Sequence, residues 1–176
     1  MKRNKWLGVA VGACTAAMLA TSVSATTLQK LSLDDVVASS ATVVVGEAIS
    51  ARTERTDNGV FTHTTFRVND AVVGAAGAEV VVTTLGGRFT SGKYQLSENW
   101  PGSPQFSGGD RVMLFLQESR VGDMEVVGFN QGVLRIVSTA SGDAVRSPDG
   151  GVQSLDTMKA QVRALRSQGH PSVSGQ

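Results

Sequence analysis

The sequence predicts a mainly β domain: a small antiparallel barrel of five to six strands, with a short helix before it and an amphipathic helix after it. Three observations carry that expectation. After Ala25, valine outnumbers leucine 22 to 10 and threonine occurs 13 times. Such β-branched side chains lose rotamer freedom in helices and pack well on a pleated surface. Apolar residues alternate with polar ones, or run in short blocks, between strong turn signals. Helical periodicity is confined to the two ends, so there is no βαβ rhythm and no case for a doubly wound parallel sheet.

The elements follow in order. Ser32 stands before Leu33-Asp34-Asp35. A serine there can accept from first-turn N–H groups, and two carboxylates suit the positive end of the helix dipole. Leu33, Val36 and Val37 supply one apolar side, and the helix should stop near Ser39-Ser40. Residues 42–53 read as a strand around Val43-Val44-Val45. Asp57-Asn58-Gly59 is a hairpin turn, because Asn and Gly tolerate positive φ. Residues 60–70 return, with Val60, Thr62, Thr64, Phe66 and Val68 on one face.

A small-residue turn over residues 74–77 leads to a third strand, 79–85, built on Val80-Val81-Val82. Residues 111–118 form a fourth, with Val112-Met113-Leu114-Phe115-Leu116 at its centre. Residues 124–129 form a fifth, broken or bulged at Asn130-Gln131-Gly132 and resumed over 133–137. Neighbours in sequence should pair as antiparallel meanders. Residues 141–151 read as a polar loop. Ser154 opens the last helix, whose Leu155, Met158, Val162 and Leu165 recur at spacings of three and four. The domain is expected over residues 26–166, with a disordered tail over 167–176.

Residues 1–25 read as an export signal. Lys2, Arg3 and Lys5 are basic, residues 6–20 are apolar and uncharged, and Val23 and Ala25 present small side chains before a cut between Ala25 and Thr26. The alternatives are an uncut anchor or a lipidated Cys14. Either soluble destination, periplasm or medium, follows from the same signal. No second run of 18 apolar residues exists, so no integral membrane segment is expected after cleavage.

Removing the signal changes the chemistry. The whole chain carries 16 basic and 15 acidic side chains. The signal takes three of the basic ones, leaving 13 against 15. Such a chain has no basic field to draw in nucleic acid. The only cysteine goes with the signal, which removes disulfide, thiolate-metal and cysteine-nucleophile chemistry. The whole chain, at 41% hydrophobic and 18% charged, has the composition of a globular domain and not of a disordered polymer.

No catalytic, cofactor or metal site is expected. His63 is the one histidine of the folded region, and a single histidine makes neither a zinc site nor a usual triad. It reads as a half-exposed strand residue beside Thr65 and Arg67. Asp34-Asp35 reads as helix capping. Asp57-Asn58-Gly59 lacks the later ligands of a calcium loop. Thr26 as an N-terminal nucleophile is weaker than the plain reading, a residue that happens to follow the cut.

The anomaly is the stretch of residues 86–109, bounded by Gly86 and Gly109. It is rich in Gly, Ser and Pro and is expected as one long loop without periodicity. Such loops are uncommon in compact domains unless they work. It holds Phe89, Tyr94, Trp100 and Phe106, four of the eight aromatics after Ala25. Two readings stand: the aromatics fold back and plug an open barrel end, with Phe106 entering the next strand, or the segment binds, with Tyr94 and Trp100 as contact surface and Arg88 and Lys93 as donors; both hold at once if Phe106 points inward and Tyr94 and Trp100 outward.

One resemblance adds to this. Ala38-Ser39-Ser40-Ala41-Thr42 leads into Val43-Val44-Val45-Gly46-Glu47. Val68-Asn69-Asp70-Ala71-Val72-Val73-Gly74 ends a strand. Pro104, Phe106 and Gly109-Asp110 precede Val112-Met113-Leu114-Phe115-Leu116, and Val127-Gly128-Phe129-Asn130-Gln131-Gly132 closes the order. Over residues 31–137 this resembles a set of uncharacterised exported bacterial proteins. More distantly it is similar to the netrin-like and tissue-inhibitor-of-metalloproteinase modules, which are OB-fold barrels. The resemblance implies an OB-like barrel. It does not carry over the inhibitors' zinc clamp, which needs a disulfide-linked N-terminal cysteine where this chain has Thr26.

The leading expectation is therefore an exported, non-enzymatic module that binds a protein, peptide or glycan through residues 86–109, at Arg88, Phe89, Lys93, Tyr94 and Trp100. The alternatives are an inhibitor or accessory of an exported protease and a hydrolase with an unrecognised site. Oligomeric state is not legible.

Overall fold

The computed structural model describes residues 30–120, 122–147 and 150–169. The expected signal with Ala25 and Thr26, and the expected tail from His170 onward, lie outside them. Among the described residues the chain is mainly β with two helices, a short one early and one near the C-terminal end. In order these are α1 (Leu33–Ser39), β1 (Thr42–Thr56), β2 (Gly59–Val73), β3 (Glu79–Leu85), β4 (Gly87–Ser91), β5 (Tyr94–Glu98), β6 (Arg111–Glu118) and β7 (Met124–Val126). A 3-10 turn (Phe129–Gly132), β8 (Val133–Thr139), β9 (Gly142–Arg146), β10 (Val152–Ser154) and α2 (Leu155–Gln168) follow. No helix among the described residues is long and apolar enough to cross a membrane.

The main sheet has eight strands in the order β1-β2-β3-β7-β6-β8-β9-β10, and β6 also pairs with β1. This corrects the expected five- to six-stranded barrel. Five strands (β1, β2, β3, β7 and β6) are linked in a ring of pairings, and β8 to β10 extend the sheet from β6. The consecutive pairs β1–β2, β2–β3, β4–β5, β6–β7, β8–β9 and β9–β10 are antiparallel, as expected, while β3 and β7, which are not consecutive, meet in parallel at Val82 and Met124. The polar stretch 141–151 is not a single loop, because β9 pairs along β8 and β10 along β9. Ser167 and Gln168, placed in the expected tail, complete α2.

Local chemistry sets the element ends. Ser32 Oγ accepts from the Asp35 N–H at 3.1 Å, and the Asp35 carboxylate accepts from the Ser32 N–H at 3.1 Å, a reciprocal cap on α1. The Ser32 hydroxyl and N–H hold the Asp35 carboxyl below the usual carboxylate range. Ser154 caps α2 through the Thr157 N–H at 3.3 Å. Asp57-Asn58 turns β1 into β2, with Thr56 opposite Gly59.

The apolar runs in β1 and β6 are explained by burial on both faces. Val43 and Val45 of β1, with Met113 and Phe115 of β6, pack under α1 and α2 against Val37, Met158 and Val162. Val44, Ala48, Val112, Leu114 and Leu116 point the other way and meet Phe66 and Val82. One core thus lies between the sheet and the helices, and a second lies on the other face of β1 and β6. On β2 the expected face holds in part: Val60, Thr64 and Phe66 are buried, while Thr62 and Val68 are half-buried.

Candidate functional site

Residues 86–109 are not one loop. They contain a β-hairpin, β4 and β5, joined by Gly92-Lys93. The pairs Phe89–Leu96 and Ser91–Tyr94 stand directly opposite, so these four side chains share a face. Arg88, Thr90, Gln95 and Ser97 share the other. The two-residue turn needs φ > 0 at its first position, which Gly92 provides at 60°.

The base of the hairpin is fastened. The Gly86 N–H donates to Val60 O at 2.7 Å. Thr62 Oγ1 donates to Gly86 O at 2.7 Å. Ser103 Oγ donates to Leu85 O at 2.7 Å. Gly87 lies so close to Thr53 and Thr62 that a Cβ would overlap both side chains, and its φ of 146° already excludes most L residues. The Arg55 guanidinium lies 5.5 Å from the Phe89 ring centroid, a cation–π contact that joins β1 to β4.

The rest of the hairpin is in the open. Tyr94 is 62% exposed, Trp100 48% and Leu96 44%. Lys93 Nζ lies 5.4 Å from the Tyr94 ring. Trp100 Nε1 donates to Glu98 Oε1 at 2.8 Å, which fixes the indole just past the end of β5. Tyr94 at the tip and Glu98 at the base are separated by four strand steps, about 13 Å. The two outward aromatics thus mark the ends of an extended platform and not a single pocket.

Phe106 does the opposite. Its ring meets Phe66 edge-on at 4.9 Å and 89° and packs against the second core. Of the residues expected to bind, Phe89, Lys93, Tyr94 and Trp100 thus line one strip. Arg88 projects from the opposite face of β4. Leu96, Glu98 and Arg55 were not singled out in the sequence. The alternation of Tyr94, Leu96 and Glu98 was the available signal for the first two.

His63 is half-buried on β2, as expected of a half-exposed strand residue. Its partners are across the strands and not beside it: Nδ1 is 2.9 Å from Thr83 Oγ1, and Nε2 is 3.9 Å from Glu54. Thr83 Oγ1 donates to Asp123 at 3.4 Å. These side chains line an open cleft of about 460 Å³ with Phe61 and Leu85. Among the described residues no three His, Cys, Asp or Glu side chains gather to hold a metal ion. No protein-family model matches the chain, and no curated protein matches it in sequence.

Proposed function

We propose that the protein is an exported, non-enzymatic binding module that recognises an extended peptide segment of a partner protein through β5 and its flanking aromatics. The observation that carries this is the β4–β5 hairpin. It is anchored at its base, has no third strand among the described residues, and presents Tyr94, Leu96 and Trp100 to solvent. An edge strand with unpaired backbone groups is a template for a further strand, and alternate side chains select what is added. Rigid aromatics add contact area at low entropy cost.

Under this proposal the strand ring is an OB-like barrel that holds the hairpin away from the helices. The parallel meeting of β3 and β7 and the apolar cluster around Phe66 support it.

The test is selection from a displayed peptide library against the chain from residue 26. Selected peptides should bind wild type and weaken about tenfold or more in Leu96→Ala and Trp100→Ala, each with an unchanged melting temperature. Peptides that bind all three equally would refute the site. Enrichment on a glycan array without any peptide would replace the peptide by a glycan.

A further inference from the structure

Two arginines face each other in the extension of the sheet. Arg135 of β8 is the direct cross-strand partner of Arg146 of β9, so both side chains leave the same face. Like charges directly opposite one another destabilise a strand pair. Arg135 is braced: Nη1 donates to the Asp110 carboxylate at 2.8 Å and Nη2 to Gln105 O at 2.8 Å. That single carboxylate serves Arg135. The one carboxylate on β9, Asp143, is taken up by Arg111 and Ser138. Arg146 is exposed and has no ion pair or side-chain hydrogen bond among the described residues.

The two guanidinium groups border a cavity of about 450 Å³, whose wall also includes Ser103, Pro104, Asn130 and Val133. We propose that this cavity binds a small molecule through an oxyanion, a phosphoryl or carboxylate group held between Arg135 and Arg146. Planar guanidinium forks match both geometries, and a charged acceptor makes the stronger class of hydrogen bond. The Asn130 amide supplies a further polar group on the wall. Pro104 and Val133 give an apolar surface for whatever bears the anion, and the volume exceeds that of the anionic group alone. The site is separate from the exposed face of β5, and its test does not depend on that reading.

The experiment is calorimetric titration with sodium phosphate and with sodium acetate, at ionic strength matched with chloride. One of the two should bind saturably at a single site in wild type. Tighter phosphate identifies a phosphoryl source, and tighter acetate a carboxylate. Arg146→Gln should weaken that binding about tenfold or more, while Arg120→Gln, a distant exposed arginine, should not. Melting gives a second readout. Without the anion, Arg146→Gln should melt no lower than wild type, since it relieves the like-charge pair, and the anion should raise the melting temperature of wild type only. Binding no better than chloride, an unaffected Arg146→Gln, or an equal loss in Arg120→Gln would overturn the proposal.

Discussion

Phe106→Ala separates the inward half of the aromatic segment from the outward half. Truncating a fully buried phenylalanine costs about 3–5 kcal/mol. Phe106 is half-buried, which scales that to about 2 kcal/mol. The edge-on contact with Phe66 at 4.9 Å adds up to about 1 kcal/mol. The expected loss is therefore about 2–3 kcal/mol. With an unfolding entropy of about 2 cal/mol/K per residue over roughly 140 residues, that is a fall of about 7–10 °C in melting temperature. Tyr94→Ala removes a side chain that is 62% exposed and should stay within about 0.5 kcal/mol of wild type. Urea unfolding followed by tryptophan fluorescence of Trp100 measures both variants. If Phe106→Ala lost less than about 1 kcal/mol, or Tyr94→Ala lost as much, the division of the segment would be wrong.

Two further outcomes follow from single groups. The Asp143 carboxyl is held below the usual range by its hydrogen bonds to Arg111 and then Ser138. A depressed carboxylate contributes stability above its unfolded pKa, near about 4, and loses it as pH falls through the lower folded value. Asp143→Asn should therefore lose less stability than wild type between pH 7 and pH 3, and an equal drop in urea midpoints would refute the linkage. Thr64 Oγ1 is buried without a hydrogen-bond partner among the described residues. Thr64→Val should raise stability by about 1 kcal/mol, and a lower melting temperature would show that the hydroxyl is satisfied.

The sequence made some elements legible and concealed others for physical reasons. Ser32 with Asp35, and Ser154 with Thr157, are caps within four residues of each other, so helix starts could be read locally. Asp57-Asn58-Gly59 announced the β1–β2 turn in the same way. Val112 to Leu116 is legible because a strand covered on both faces reads as an apolar run, whereas Val80-Val81-Val82 is covered on one face only, with Val81 49% exposed. The β4–β5 hairpin is concealed because its glycines and serines resemble a loop, although Phe89, Tyr94 and Leu96 carry the period-two pattern. β9 could not be read at all: Ala144 and Val145 are two apolar residues in a polar stretch, and they become a strand through β8 and the core under α2. The parallel meeting of β3 with β7 joins elements with the hairpin and β6 between them, which no local pattern encodes. At the candidate site, Tyr94 and Trp100 were visible as residue types. Their separation along β5, and Arg55 reaching Phe89 from β1, are tertiary facts.

The pairing of β1 with β6 has a consequence for how the chain comes to be folded. Val43 lies opposite Phe115, 115 − 43 = 72 positions later, so that closure carries a large loop entropy and a high contact order. A nascent chain stopped before Arg111 would hold Val43-Val44-Val45 as an open edge with nothing to cover it. Such an edge invites pairing with another chain. The same valines that are most deeply buried at the end of synthesis are therefore the most sticky ones during it. Until β6 arrives, that edge of β1 stays open to pairing with its own copies.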